Sequence, residues 1–181
     1  MSRNFQLLGQ QNVMPLLHQI ALHPELWNRD KVRTEHPGSP HSQCDDILLR
    51  FRDIAALEAQ QIMDDAECVW YPAWDVLSEA HTLIFDLARM VKAERIGRIL
   101  ISRMAPGTEI APHEDGGAVA SYYTRYQMPL QSEPGVVFDC AGERVQMTGG
   151  QVWWFNNKLT HSVMNNSAND RIAMVVDLKT R

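Results

Sequence analysis

Apolar positions in the first thirty residues recur at helical spacing once. Val13, Leu16, Leu17, Ile20 and Ala21 share a face and Pro24 follows, so a short amphipathic helix is predicted there. Residues 31–46, KVRTEHPGSPHSQCDD, are rich in Pro, Ser and His. They read as an ordered loop leading into a strand-like run, Ile47-Leu48-Leu49-Arg50-Phe51. Residues 53–66 fit a helix and an irregular surface segment equally. Residues 75–93 predict a longer helix, because Val76, Leu77, Ala80, Leu83, Ile84, Leu87, Ala88 and Val91 form one apolar stripe. The period changes near Gly97. From there, short apolar segments (RILISRM, APGTEI, TRYQMPL, GVVFDC, ERVQM, QVWWF, HSVM, RIAMVVDL) alternate with turn signals such as Pro106-Gly107, Gly116-Gly117, Pro134-Gly135 and Gly149-Gly150. Short strands at such spacing predict a β-sandwich or barrel.

The expected architecture is therefore mainly β with N-terminal helices. A helical and loop portion, residues 1–95, packs on a β core, residues 96–181, as one domain. A chain of 181 residues with 45% apolar content supports a real core and excludes disorder. A net charge of −5 with no Lys/Arg run argues against a nucleic-acid partner. Cys44, Cys68 and Cys140 lie far apart and none forms a CxxC pair, which disfavours a disulfide framework or a cysteine zinc site and fits a reducing compartment. No signal-peptide h-region opens the chain and no run approaches the roughly 20 apolar residues of a membrane span. A soluble, cytoplasmic protein without a membrane partner is expected.

Of seven histidines, two have chemical company. His113 stands in Pro112-His113-Glu114-Asp115-Gly116-Gly117, and in extended chain residues i and i+2 point to the same side. His113 and Asp115 then converge while Glu114 faces away. His161 opens a later predicted strand. His-x-Asp with a distant His is the 2-His-1-carboxylate set that leaves positions open on non-haem Fe(II); a polar turn is the bland alternative. Arg171 heads an apolar run, RIAMVVDL, that suits a buried strand. A guanidinium there is expensive unless it meets an anion. Either it pairs internally with Asp170 or Asp177 or sits at a solvated strand end, or its fork clamps a carboxylate ligand.

The set His113-x-Asp115, His161 and Arg171 resembles the aspartyl/asparaginyl β-hydroxylase-like family of Fe(II)/2-oxoglutarate-dependent dioxygenases. Gly149–Asn157, Thr160–Asn166 and Asp170-Arg171-Ile172 are similar to that family's distal motif, and Thr124–Leu130 to its Arg-x-His strand, with Gln127 where the family often has histidine. The resemblance covers roughly residues 95–178 and implies a double-stranded β-helix, the cupin-like jelly roll. It implies that His113, Asp115 and His161 hold Fe(II), that Arg171 clamps the distal carboxylate of 2-oxoglutarate, and that Arg125 and Gln127 contact this co-substrate. It also implies O2 as co-substrate and hydroxylation of an amino-acid side chain, free or in a peptide or protein. Asp115 makes the chain more like bacterial members than the animal ones that lack this carboxylate. Arg33, Thr34, Ser39, Pro40, His41, Asp46 and Arg50 are expected either to wall the substrate side or to form a solvated connector. Trp153, Trp154 and Phe155 are expected to fill core. Two other classes stay open: a metal-binding cupin with non-redox chemistry, and a non-catalytic jelly-roll binding module.

Overall fold

The computed structural model describes residues 3–35, 37–53 and 68–181. Strand β11 (Arg171–Lys179) sits at the centre, antiparallel to β6 (Thr124–Gln131) on one side and to β4 (Arg95–Met104) on the other. That position pairs both of its edges, and its apolar side chains on both faces also require cover on both. Beyond β4 lie β2 (Cys44–Phe51) and the short β3 (Val69–Trp70); beyond β6 lie β9 (Gln151–Phe155) and β1 (Phe5–Gln10). A second, four-stranded sheet runs β5 (Glu109–His113), β10 (His161–Asn165), β7 (Val136–Cys140), β8 (Glu143–Val145). Cys44, Met104 and Phe155 from the large sheet pack against Ile110, Phe138 and Val163 from the small one in one buried cluster. The result is the jelly roll that the family resemblance implies, within the sandwich-or-barrel class that the strand pattern predicts.

Alternation along β11 divides two environments. Met174, Val176 and Leu178 turn outward and join Leu16 and Ile20 of α1 (Met14–Leu22) with Leu83, Ile84 and Leu87 of α3 (Glu79–Met90). Each such buried aliphatic contributes roughly 1.5–3 kcal/mol. Arg171, Ala173, Val175 and Asp177 turn inward.

The helix expected over 75–93 is interrupted. A single turn, α2 (Ala73–Val76), ends at Leu77, whose φ of −93° and ψ of 60° are not helical, and α3 starts at Glu79. The N-terminal portion also differs from the helical expectation, because β1 is a strand of the large sheet, while the strand-like run expected at 47–51 lies within β2. In β1 only Phe5 is buried, so no alternating pattern announces it. Helix α4 (Gly117–Tyr122) follows β5 and was not expected; Gly117, at φ +78°, supplies the left-handed turn that starts it. Of residues 53–66, all after 53 lie outside the described residues. Cys44, Cys68 and Cys140 are buried and none is in a disulfide. No helix among the described residues is long and apolar enough to cross a membrane.

Candidate metal centre

Strands β5 and β10 are hydrogen-bonded with His113 directly opposite His161. Directly paired residues share a sheet face, and the two imidazole centroids lie 4.3 Å apart. The period-2 continuation past β5 brings Asp115 to the same point. Ligand atoms of His113, Asp115 and His161 all fall within 4.8 Å of one another. Nε2 of His113 is 3.8 Å from Asp115 Oδ1 and Nε2 of His161 is 4.0 Å from Oδ2. These separations are too long for direct hydrogen bonds. Glu114 faces the other way, accepting from Thr160 Oγ1 at 2.8 Å.

Both imidazoles are held for ligation. Nδ1 of His113 contacts the Ala111 carbonyl at 2.8 Å, and Nδ1 of His161 the Leu159 carbonyl at 2.9 Å. A carbonyl only accepts, so each neutral ring carries its proton on Nδ1 and presents the Nε2 lone pair. Burial pushes both histidines below the ordinary imidazole pKa, against the opposing pull of those carbonyls and of Asp115. Nε2 of His113 is buried without a hydrogen-bond partner. Burial raises the Asp115 carboxyl, but Arg125 and His161 together with an Asn157 hydrogen bond outweigh it, and the carboxyl stays below its usual range. Two neutral imidazoles, one carboxylate and an orphaned ring nitrogen fit a divalent cation.

Asp115 is braced on one oxygen. Oδ2 accepts from Arg125 Nη1 at 2.8 Å and from Asn157 Nδ2 at 2.9 Å, while the Asp115 N–H donates to the Asn157 carbonyl at 3.0 Å. Arg125, expected on the co-substrate, directs Nε and Nη2 to the two oxygens of Asp177, each at 2.8 Å.

Arg171 has neither of the internal partners considered for it. Asp177 belongs to Arg125, and Asp170 lies 3.9 Å from Arg103. The Arg171 side chain is buried, with Nη1 against Met104 Sδ at 3.7 Å and Nη2 donating to Gln127 Oε1 at 3.3 Å. No acidic side chain among the described residues pairs with it. Burial draws its pKa down to about 10. The inward face of the large sheet thus carries Arg171 in register with Met104 and Cys44, and further along Val175 opposite Gln127.

A cavity of about 330 Å³ opens beside His113 and Asp115. Leu100 and Phe51 line part of it, and the 31–46 loop supplies Arg33, Ser39 and His41. Arg33 is anchored to the buried Asp46 at 2.6 Å, and Ser39 Oγ donates to the Arg33 carbonyl at 2.6 Å. His41 meets the His113 ring edge-on, 5.0 Å between centroids, and burial keeps it neutral. Arg50 lies elsewhere, over the Trp70 ring. Phe155 and the partly buried Trp153 and Trp154 pack against the two core clusters, as core filling requires. Asn157 is a site residue that sequence reasoning did not single out; His41 was named as a wall residue, and Asp177 as a partner for Arg171 rather than for Arg125. Asn157 lies in the quoted distal motif, but nothing in that motif says which oxygen it would meet.

No curated protein matches the chain. Among solved structures, an oxidoreductase of the 2OG-Fe(II) oxygenase family from Burkholderia pseudomallei is similar at 16% identity and a TM-score of 0.54, over 75% of this chain and 66% of that one. This chain therefore spans just under two thirds of that protein's length, and the likeness is one of fold. A predicted oxalate decarboxylase from Thermotoga maritima is similar at 18% identity and a TM-score of 0.39, over 56% of this chain and 73% of that one. A cupin domain from Bordetella pertussis Tohama I shows 21% identity and a TM-score of 0.36, over 48% and 84%. A sequence model of the aspartyl/asparaginyl beta-hydroxylases matches residues 74–181, which carry all of the triad, Arg125, Gln127 and Arg171. That match spans more than half of the chain, and this protein belongs to the aspartyl/asparaginyl beta-hydroxylase family.

Proposed function

We propose that the chain is an Fe(II)/2-oxoglutarate-dependent dioxygenase that hydroxylates an amino-acid side chain, free or within a peptide or protein. The carrying observation is the buried guanidinium of Arg171, without an acidic partner among the described residues, in the same barrel as a metal-ready His113-Asp115-His161 cluster. Family membership and the oxygenase fold of the Burkholderia protein support this reading.

His113, Asp115 and His161 would hold the iron, which when bound supplies the oxygen and redox chemistry that side chains lack. Arg171 would receive the distal carboxylate of 2-oxoglutarate. Its fork suits two carboxylate oxygens, and an anion there relieves a buried, uncompensated charge. Gln127 fixes that fork through Oε1 and keeps its amide N–H2 group for an oxygen of the co-substrate. The cavity beside His113 and Asp115 would take the substrate, with Arg33, Ser39 and His41 as its wall and with Leu100 and Phe51 limiting access of water.

Anaerobic titration of the Fe(II)-loaded protein with 2-oxoglutarate tests the assignment through the metal-to-ligand charge-transfer band. The band is expected in the wild type and absent in His113→Ala. A wild-type protein that takes up iron but shows no band with 2-oxoglutarate would move the assignment to a cupin with non-redox chemistry.

A further inference from the structure

The Arg125 side chain is mostly buried, 14% exposed, and lines the cavity beside the metal site, and one of the two bidentate edges of its guanidinium is already used. Nε and Nη2 clasp Asp177, its cross-strand partner on β11, at 2.8 Å each. Asp177 is itself buried, so the fork is fixed to the large sheet before it reaches the metal site. Nη1 then donates to Asp115 Oδ2, the oxygen that also accepts from Asn157 Nδ2. Two donors on one oxygen hold the carboxylate about its last torsion. Oδ1 is left as the atom turned toward His113 Nε2, 3.8 Å away. A co-substrate carboxylate would gain the Nε–Nη2 edge of Arg125 only by displacing Asp177, a buried anion that would then be stranded; one N–H is left on each of Nη1 and Nη2.

Resting on the metal-site reading above, we propose that Arg125 is a positioning residue which, anchored by Asp177, fixes the carboxylate plane of Asp115 and so sets metal affinity. The chain Asp177–Arg125–Asp115 links the large sheet to the end of β5 on the small one. Outer partners of this kind change metal affinity by about 10–100-fold when removed.

The test is calorimetric titration of the metal-free full-length protein with Mn(II), paired with 2-oxoglutarate titration at saturating Mn(II). Asp115→Ala and Arg125→Met are each expected to weaken Mn(II) binding, the latter by about 10–100-fold. The double variant is expected to bind no more weakly than Asp115→Ala alone, because Arg125 acts through Asp115. Arg125→Met leaves Asp177 without its partner; if it fails to fold, Asn157→Ala removes the other Oδ2 donor without stranding a charge and carries the same expectation at about 10-fold. Wild-type Mn(II) affinity in Arg125→Met or Asn157→Ala, alongside a clear loss in Asp115→Ala, overturns the proposal. So does Arg125→Met losing 2-oxoglutarate affinity while keeping that for Mn(II). Unchanged affinity in Asp115→Ala sinks the metal-ligand assignment itself and this proposal with it.

Discussion

Replacing Arg171 by Met separates what this residue costs the fold from what it contributes to binding. Burial lowers the pKa of Arg171 from its ordinary value to about 10. At about 1.4 kcal/mol per pH unit, the charged, unpaired side chain costs the empty protein about 3 kcal/mol at neutral pH. Because the folded-state pKa of a base is depressed, this penalty is in full force below pH 10 and relaxes only above it. Met keeps the volume and removes the charge. It also removes the hydrogen bond to Gln127, worth about 1 kcal/mol. The net expectation is a gain of about 2 kcal/mol, or a melting temperature about 4–8 °C higher for a chain of this size. Binding should move the other way: losing the fork is expected to weaken 2-oxoglutarate by about 30- to 1,000-fold, as when one member of a buried charge pair is truncated. Thermal unfolding of the Mn(II) protein with and without 2-oxoglutarate reads both effects, since a ligand at 100 times its Kd adds about 2.7 kcal/mol to wild type. An Arg171→Met protein that is less stable than wild type, or that is stabilised by the same 2-oxoglutarate concentration as much as wild type, would refute the reasoning.

Further expectations follow from the same geometry. Asp115→Ala should abolish tight Mn(II) binding while Glu114→Ala, whose carboxylate faces Thr160, should leave it intact by calorimetry; equal losses would mean that the chain past β5 does not present its side chains by alternation. Burial keeps His113 and His161 neutral below the ordinary imidazole range, so Mn(II) affinity should fall from pH 7.5 to 6 by clearly less than the roughly tenfold expected for two ordinary imidazoles. Gly150→Ala should lower stability by about 2 kcal/mol or more in chemical denaturation. Its φ is +83° and a Cβ would meet the Gln11 carbonyl oxygen at 2.5 Å, where β1 joins β9; an unchanged midpoint would contradict that packing.

Where burial is two-sided or turns are marked by Gly and Pro, the sequence shows its own structure. Strands β4, β6, β7, β9, β10 and β11 were readable for that reason, and so was the stripe of α3. Strand β1 was not, since only Phe5 is buried and its place depends on pairing with β9, 145 residues or so along the chain, a distance no local pattern reports. The break before α3 escaped notice because Leu77 is apolar and fits the stripe while leaving helical geometry. At the site, His113 and Asp115 were legible from i, i+2 alternation alone. The choice of His161 among several histidines rested on its place at a predicted strand start and on the resemblance, because it is the β5–β10 register that brings it opposite His113. The partners of Arg125 were invisible for the same reason: Asp177 lies 52 residues away and meets it only through the β6–β11 register.

Succinate release from 2-oxoglutarate by the Fe(II)-loaded protein in air, screened with free amino acids, lysates and peptide libraries, measures the central claim directly. Turnover that requires Fe(II) and 2-oxoglutarate, rises with one class of amino-acid or peptide substrate, gains one oxygen atom in that substrate by mass spectrometry and vanishes in His161→Ala is the predicted result. A correctly folded, iron-loaded wild-type protein that forms no succinate above the His161→Ala background under any of these conditions would contradict it.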